Sequence, residues 1–504
     1  MRSSSSALRF NIASTIGISG IGLFVSFASQ VFISYHFGTS AQLDAYWAAF
    51  SLMNMLAFPL TPLRDALAPE FHLRLKRDPE AANLYFSRAM TLIVIIAGMG
   101  TIIGIFMAEP LVSLAVSGRQ PQVRDLAVNQ LYWLAPVVIL LAFSETLNSV
   151  LTSYHRIILQ SLARLLGLIA SLVVLILFAG LLRAYVLPLS VIAAQVVVAM
   201  LQIIVLRREG LSFRPVWPRN LGQRFLTVTG ALITTYAASQ AYSVFEKHTF
   251  TSFSGGLVSS FQYSVSLTNV LITLVGISIS NVLWPRFLEH AAEKHCAHLH
   301  KEVSLAVRLI MLFAGWLCAL VWINSESLIK LIFARGAFDA SAVAQTVYSL
   351  HVAVFAAVPI SAGLLIGRAL ISLGAARSVM SVGIVTTVTG CIVLIAAQAL
   401  NNPFLALSHW LLANTVGMVV YILLFSRVCG VHYHVYGKIF WWVLRWAVVL
   451  LFSGLLVELI PIYKFENYVF ILDVILRSAF FSFVFIVFSW AAGVLNDIPS
   501  LWGR

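Results

Sequence analysis

Charged residues are scarce in this sequence. Asp, Glu, Lys and Arg make up 10% of its 504 residues, hydrophobic residues make up 60%, and the mean hydropathy is +0.93. Soluble domains carry about 25% charged residues, so this composition excludes a soluble enzyme, a nucleic-acid-binding domain and a disordered chain. The hydrophobic runs are continuous and of helical length, which is not the alternation of a membrane barrel. We therefore expect an all-α, polytopic membrane protein.

Cysteine is scarce as well, with four residues that show no disulfide pattern, so we expect free thiols. His295-Cys296-x-His298-x-His300 has metal-ligand residue types but no usual zinc spacing. We therefore expect neither a metal nor a cofactor. The sequence contains no Walker A motif and no recognisable nucleophile–base arrangement, so we do not expect an enzyme.

Hydrophobic runs long enough to cross a membrane occur fourteen times. The first begins after Arg9 and lacks the small-x-small cleavage pattern of a signal peptide, so it is predicted to be a transmembrane helix. The runs at 42–71 and 341–371 are long enough to be tilted or bent. The predicted spans are 11–35, 42–71, 86–108, 128–152, 157–181, 184–206, 225–245, 256–284, 305–324, 341–371, 378–400, 404–426, 439–461 and 467–494.

Basic residues alternate in number between successive loops. With the N-terminus in the cytoplasm, 23 Lys and Arg residues fall inside and 7 fall outside. Cytoplasmic loops of membrane proteins carry this excess. The split predicts that both termini lie in the cytoplasm, and it explains much of the net charge of +13 without a nucleic-acid partner.

An internal repeat relates the two halves of the chain. Leu67-Ala68-Pro69-Glu70-Phe71 matches Leu283-Trp284-Pro285-Arg286-Phe287, and Glu109-Pro110-Leu111 matches Glu326-Ser327-Leu328, at an offset of 216 to 217 residues. The pattern predicts a six-helix repeat at 1–222, a second at 223–430, and two additional helices at 431–504. Such repeats place a substrate site between the halves.

Ionisable residues inside predicted spans are costly and mark candidate sites. Arg64 and Asp65 follow Pro59 and Pro62 in the second span, where prolines break the helical hydrogen-bond ladder. They are interpreted either as a charge pair lining a cargo cavity or as side chains that reach the headgroups. Glu145 is a candidate ion site or an acceptor for sugar hydroxyls, or else a protonated carboxyl bonded to a neighbouring helix.

Further polar residues lie along the eighth span and are predicted to form one stripe that faces an aqueous cavity. Asp44 opens the second span, where a carboxylate stabilises a helix N-terminus. Asp473 and Arg477 are spaced to pair with each other. The candidate cargo-cavity residues are Arg64, Asp65, Glu145, Asn148, Gln262, Ser266, Asn269 and Arg368, and the predicted stripe also includes Ser264, Ser278, Ser280 and Asn281.

Three segments resemble those of the MurJ (MviN) family, which flips lipid II and lies within the multidrug/oligosaccharidyl-lipid/polysaccharide exporter superfamily. They are Phe37-Gly38-Thr39-Ser40-Ala41-Gln42-Leu43-Asp44-Ala45-Tyr46-Trp47-Ala48-Ala49-Phe50, Phe333-Ala334-Arg335-Gly336-Ala337-Phe338-Asp339-Ala340 and Ala369-Leu370-Ile371-Ser372-Leu373-Gly374. Fourteen spans in a six-plus-six-plus-two layout also match the family. The motif residues carried over are Gly38, Asp44, Pro69, Pro285, Gly336 and Asp339.

The sequence departs from the family at its cargo-binding arginines. By the resemblance, the cavity arginines that hold the cargo pyrophosphate fall on Leu23 and Ser29 in the first helix, near Ala57-Phe58 in the second, and on Ser266 in the eighth. An acidic neighbour falls on Asn269. Arg64 and Arg368 are the remaining candidates. Because an arginine fork on a pyrophosphate is a strong interaction, these losses are expected to change the cargo or how it is held.

The resemblance implies a flippase that moves a polyprenyl-diphosphate-linked saccharide across the inner membrane by alternating access, with the last two helices forming a groove for the lipid tail. The cargo is either a lipid II-like peptidoglycan precursor or an exopolysaccharide repeat unit. Glycan synthesis or polymerisation proteins are possible partners. Two alternatives remain open, which are a cation-coupled multidrug exporter of the same superfamily and a non-transporting scaffold of a glycan synthase.

Overall fold

The computed structural model describes residues 2–75, 77–118, 120–154, 156–218, 223–293, 296–430, 445–450, 452–454, 470–492 and 494. Within these stretches every regular element is helical, so the expected all-α fold class is confirmed. The described chain divides into two compact units. Unit 1 comprises Met1–Ser259 with Arg335–Asp339, and unit 2 comprises Ser260–Ala334 with Ala340–Arg504.

Unit 1 is built from ten helices in the described residues. A 3-10 turn at Arg183–Tyr185 joins the helix that ends at Leu182 to the helix that begins at Val186. The helices are α1 (Arg2–Phe37), α2 (Ala41–Ala57), α3 (Leu60–Leu75), α4 (Pro79–Phe106), α5 (Ala108–Ala115), α6 (Pro121–Leu134), α7 (Val137–Ser153), α8 (Ile157–Leu182), α9 (Val186–Arg208) and α10 (Gln223–Thr251).

The remaining helices belong to unit 2, apart from the first turn of α11. A π-helical segment at Ile272–Ile277 continues α11, and a 3-10 turn at Val354–Ala356 separates α15 from α16. The helices are α11 (Leu257–Leu271), α12 (Ser278–Ala292), α13 (Cys296–Ile323), α14 (Ser325–Phe333), α15 (Ala340–Ala353), α16 (Ala357–Ser372), α17 (Ala376–Ala399), α18 (Pro403–Val428) and α19 (Phe470–Ala491).

Several helices are long and apolar enough to cross a membrane. The described residues contain nine such helical stretches, or ten if α6 and α7, which meet at a bend of 46°, form one span. One stretch, Ile158–Arg208, holds the two spans predicted at 157–181 and 184–206. The polytopic membrane architecture is therefore confirmed. The number fourteen stays a prediction, and most of the span predicted at 439–461 lies outside the described residues.

The second predicted span is broken near the prolines. α2 ends at Ala57 and α3 begins at Leu60, so the break falls at Phe58-Pro59. Pro62 lies in the first turn of α3, where the missing backbone N–H would have no partner anyway. Arg64 therefore lies on a regular helix one turn beyond the break and not at the break itself. The broken span lets α3 pack against α4, α7 and α10.

Helix lengths recur along the chain. α4 and α13 both have 28 residues and begin 217 positions apart, while α6 and α15 both have 14 residues. A short helix follows α4 and also follows α13.

The compact units do not divide at 222, because α10 packs against α2, α3 and α5 and so belongs to unit 1. The predicted repeat boundaries are statements about sequence duplication and stay predictions.

Candidate cargo-binding site

A guanidinium and a carboxylate meet between two adjacent helices of unit 1. Arg64 Nη1 on α3 lies 2.6 Å from Glu145 Oε2 on α7, and Arg164 Nη2 on α8 lies 4.0 Å from Glu145 Oε1. Both members of the close pair are about one third exposed or less. The structure thus joins two residues that the sequence marked separately. The side chain of Asp65, the predicted partner of Arg64, lies outside the described side chains.

The polar face of α7 explains how these groups converge. Glu145, Asn148 and Ser149 are three or four positions apart and therefore share one helical face. Ser149 Oγ donates to Arg64 O at 3.3 Å, which holds α7 against α3. Ser144 lies one position before Glu145 on α7, and its Oγ donates to Gln195 Oε1 of α9 at 2.8 Å. The helix therefore presents polar groups to α3 and to α9.

A cleft of about 240 Å³ lies among α7, α8 and α9. Close packing of α8 on α9 shapes it, since a Cβ at Gly167 would lie 2.5 Å from Val198 Cγ2. We call it the α7–α9 cleft. Its lining residues are Ser144, Glu145, Asn148, Arg164, Gly167, Leu168, Ala194, Gln195, Val198 and Gln202.

Four polar residues of the α7–α9 cleft are not among the predicted site residues, namely Ser144, Arg164, Gln195 and Gln202. In the sequence, Arg164 contributes only to the count of cytoplasmic basic residues. The two glutamines are neutral and lie in an otherwise apolar run, so neither stands out. Their spacing of seven residues places them on one face of α9, and this was the signal that could have identified them.

The predicted site residues of unit 2 lie on two helices, α11 and α16. Gln262 and Ser266 are half-buried and Asn269 is exposed on α11, and Ser266 Oγ donates to Gln262 O at 2.9 Å. Arg368 Nη1 on α16 donates to Asn281 Oδ1 on α12 at 2.6 Å. These contacts join Arg368 to a polar residue of the eighth span.

The prediction of a single polar stripe along the eighth span is wrong in part. Ser264 is fully buried and its hydroxyl donates to Ser260 O and Thr346 O, and Ser280 is also buried. Two residues along a helix turn the side chain by about 200°, so Ser264 faces the opposite way from Ser266. The open face carries Gln262, Ser266 and Asn269, and the packed face carries the buried serines.

Two family-motif glycines hold the turn after α1 against the 335–339 segment of the same unit. Gly38 has φ +52° and Gly336 has φ +62°, values that favour glycine. A Cβ on Gly38 would lie 2.3 Å from Ala337 O, and one on Gly336 would lie 2.3 Å from Tyr35 O. Ala337 N donates to Tyr35 O at 2.7 Å. The two glycines therefore permit a close backbone contact, and Asp339 follows in the exposed turn.

Asp44 has a structural role, although not only the one expected. It lies in the first turn of α2, and its carboxylate accepts hydrogen bonds from Gly256 N at 2.7 Å and Ser259 N at 2.8 Å. Ser259 Oγ also donates to it. The side chain is 1% exposed. Asp44 thus caps the first turn of α11 and joins it to the start of α2.

The remaining predicted positions fall partly on side chains that the structure does not describe. Pro69 lies in α3 and Pro285 in α12, and Asp473 lies in α19, with their side chains outside the described set. All four cysteines are free, as expected. Among the described residues, no group of three or more His, Cys, Asp or Glu is placed to hold a metal ion.

Membrane-length helices, a broken span and a partly buried ion pair are features of a polytopic membrane protein. The structure is similar to that of the lipid II flippase MurJ in an inward closed conformation, with TM-score 0.76 and 16% identity over 97% of this chain and 99% of that one. It is also similar to an inward-facing multidrug resistance MATE family transporter of the MOP superfamily, with TM-score 0.63 and 14% identity over 81% of this chain and 94% of that one.

The family model for the lipid II flippase MurJ matches residues 33–478, so this chain belongs to that family. Probable lipid II flippases MurJ from Buchnera aphidicola subsp. Baizongia pistaciae and Thermotoga maritima are 22% identical over 342 residues and 24% identical over 321 residues. These matches cover 65% and 61% of this chain. They span 66% and 62% of the relatives' own lengths, just under two thirds.

Proposed function

We propose that this chain is a flippase, not an enzyme, and that it moves a polyprenyl-diphosphate-linked saccharide across the bacterial inner membrane by alternating access. Membership of the lipid II flippase family supports the class of cargo. The observation that carries the proposal is the partly buried Arg64–Glu145 pair between α3 and α7, because charges are kept at such positions mainly for function.

The cargo pyrophosphate would meet few of the family's arginines here. Leu23 is exposed and apolar, and Ser29 Oγ donates to Val25 O of its own helix at 3.0 Å. Arg64 already holds Glu145. In the proposed mechanism Arg64 receives the diphosphate when it leaves the carboxylate. We infer that the cargo is selected mainly by its sugars, which favours an exopolysaccharide repeat unit over lipid II.

Both termini are proposed to be cytoplasmic, and glycan synthesis or polymerisation proteins are proposed as partners. A multidrug exporter remains the alternative transport function, since its superfamily shares the fold. That alternative predicts twelve spans, whereas α19 is a further membrane-length helix beyond α18. A scaffold without transport would need no partly buried ion pair.

Reconstitution tests the proposal. The purified chain is placed in proteoliposomes with undecaprenyl-diphosphate-linked saccharides, and the headgroups that become accessible outside are counted. We expect flipping with the wild type and its loss in Arg64→Ala. Arg156→Ala is the matched control, because it removes another ion pair, with Glu209 at 2.7 Å, away from the α7–α9 cleft. A properly folded wild type that flips no lipid-linked saccharide would contradict the proposal.

A further inference from the structure

Gln202 of α9 is buried in the α7–α9 cleft with its amide unsatisfied. The side chain is 1% exposed, and neither Nε2 nor Oε1 has a hydrogen-bond partner among the described residues. Buried polar groups in folded proteins are nearly always hydrogen-bonded, so each exception needs an explanation. Since Gln202 lines the cleft, the missing partner is expected to enter the cleft from outside the protein.

The charged residues that line the cleft favour neither an anion nor a cation, because Glu145 and Arg164 carry opposite charges. Glu145 would repel an anion, and its carboxylate already accepts from Arg64 outside the lining. Arg164 would repel a cation. A neutral ligand with many hydroxyl groups meets neither penalty, because each hydroxyl can both donate and accept. Glu145 offers acceptors, Arg164 offers donors, and the Gln202 amide offers both a donor and an acceptor.

Part of the cleft lining is apolar. Gly167 and Leu168 of α8 lie there with Ala194 and Val198 of α9. A pyranose ring has this same division, with hydroxyls around its edge and C–H groups on its faces. The cleft volume of about 240 Å³ is below the roughly 300–1,000 Å³ of sites for drug-sized ligands. It therefore has room for one ring rather than for an oligosaccharide.

We propose that the α7–α9 cleft is a subsite for one neutral pyranose ring, with Gln202 hydrogen-bonding ring hydroxyls and Glu145 accepting from a neighbouring hydroxyl. The statement that the ring belongs to the glycan of the cargo rests on the proposed function. Arg164, Gln195 and Gln202 would then contribute to cargo specificity through sugar contacts instead of diphosphate contacts.

Binding of free sugars tests the subsite without any transport step. The full chain is placed in phospholipid nanodiscs, and saturation-transfer difference NMR measures binding of N-acetylglucosamine, glucose and galactose, with inorganic pyrophosphate as the anionic comparison. We expect at least one sugar to bind the wild type. Gln202→Leu should weaken that binding about tenfold, because two neutral hydrogen bonds are lost. Ala194→Phe should abolish it by filling the cleft.

Asn414→Leu is the matched control, since Trp410 O of the same helix in unit 2 is the one acceptor of Asn414 Nδ2 among the described residues. It should bind sugar as the wild type does. The melting temperature of each variant shows that it is folded. Sugar binding that is unchanged in Gln202→Leu and in Ala194→Phe, tight binding of pyrophosphate at the cleft, or no sugar binding at all would overturn the subsite. In the last case water alone would satisfy Gln202.

The two proposals fail separately. If the wild type flips a lipid-linked saccharide but free sugars bind Gln202→Leu as well as they bind the wild type, the subsite is wrong and the proposed function stands. If sugars bind in the cleft but the wild type flips no lipid-linked saccharide, the proposed cargo is wrong and the subsite stands.

Discussion

At the scale of single residues, Arg64 has the clearest functional test. Arg64→Ala should lower transport by about tenfold or more at unchanged protein level, because a charged hydrogen bond contributes about 1.5–3 kcal/mol. Arg64→Lys should keep part of the activity, since the charge remains but the planar fork is lost. Both are measured as cargo flipping in proteoliposomes. Full activity in Arg64→Ala would show that this side chain only pairs with Glu145 and takes no part in transport.

The thiol of Cys429, just beyond the end of α18, should be unreactive in the folded protein. Burial and, to a smaller extent, the neighbouring Cys296 thiol together raise the pKa of Cys429 to about 12. A raised pKa keeps the group as a thiol at neutral pH, and the thiolate is the nucleophile. We expect alkylation by iodoacetamide at pH 8 to be at least about tenfold slower than in the denatured chain, as measured by mass spectrometry. Equal rates would contradict the buried environment.

Residue types in the sequence identified Arg64 and Glu145 as unusual, but not their pairing. The two residues are 81 positions apart, and only the packing of α3 against α7 brings them together. Gln202 illustrates the other limit. A glutamine in an apolar helix becomes informative only when the structure shows that its amide is buried and unsatisfied.

At the scale of helices, the cap of α11 by Asp44 should contribute to stability. Asp44→Ala leaves two buried N–H groups, Gly256 and Ser259, without their acceptor, at a cost of about 1–3 kcal/mol. Asp44→Asn should cost less, since one oxygen still accepts. The melting temperature in detergent is the measurement. Asp78→Ala is the control, because Asp78 caps α4 in an exposed position. An equal fall in melting temperature in both variants would contradict the larger cost expected for the buried cap.

The positions of helix breaks were only partly predictable. Three prolines in the second span predicted a break, but not that Pro59 would produce it while Pro62 and Pro69 lie inside α3. The π-helical segment in the eighth span had no sequence signal. It contains Gly276, where a Cβ would lie 2.6 Å from Ser361 Oγ, so the segment depends on close packing against α16.

At the scale of the whole molecule, the distribution of basic residues predicts the orientation in the membrane. A cysteine introduced at Gly118 or Ala340, both exposed, should react with an impermeant maleimide added to intact cells. A cysteine at Arg208, at the end of α9, should react only after the cells are opened. Labelling at Arg208 from outside would overturn the predicted topology, because one missed or additional span inverts every later loop.

The fold class and family could be read from hydrophobic runs and from the segments around Gly38 and Gly336. The division into compact units could not. It falls at Ser259 because α10, the first helix of the second predicted repeat, packs against α2, α3 and α5. A sequence repeat records duplication of a segment, whereas a compact unit records which helices bury each other's surfaces.

If the proposed function is right, these residues also predict how the cargo is selected. A neutral hydrogen bond contributes only about 0.5–1.5 kcal/mol, against about 1.5–3 kcal/mol for a charged one, so a flippase without the family's arginines at positions 23, 29 and 266 needs several sugar contacts. Such contacts discriminate between glycans. We therefore expect that this chain will not replace an essential lipid II flippase in a depletion strain, and that its deletion will stop export of a surface polysaccharide. Growth of the depletion strain on this chain alone would instead establish lipid II as a cargo, and Gln202→Leu would then show whether the α7–α9 cleft takes part in holding it.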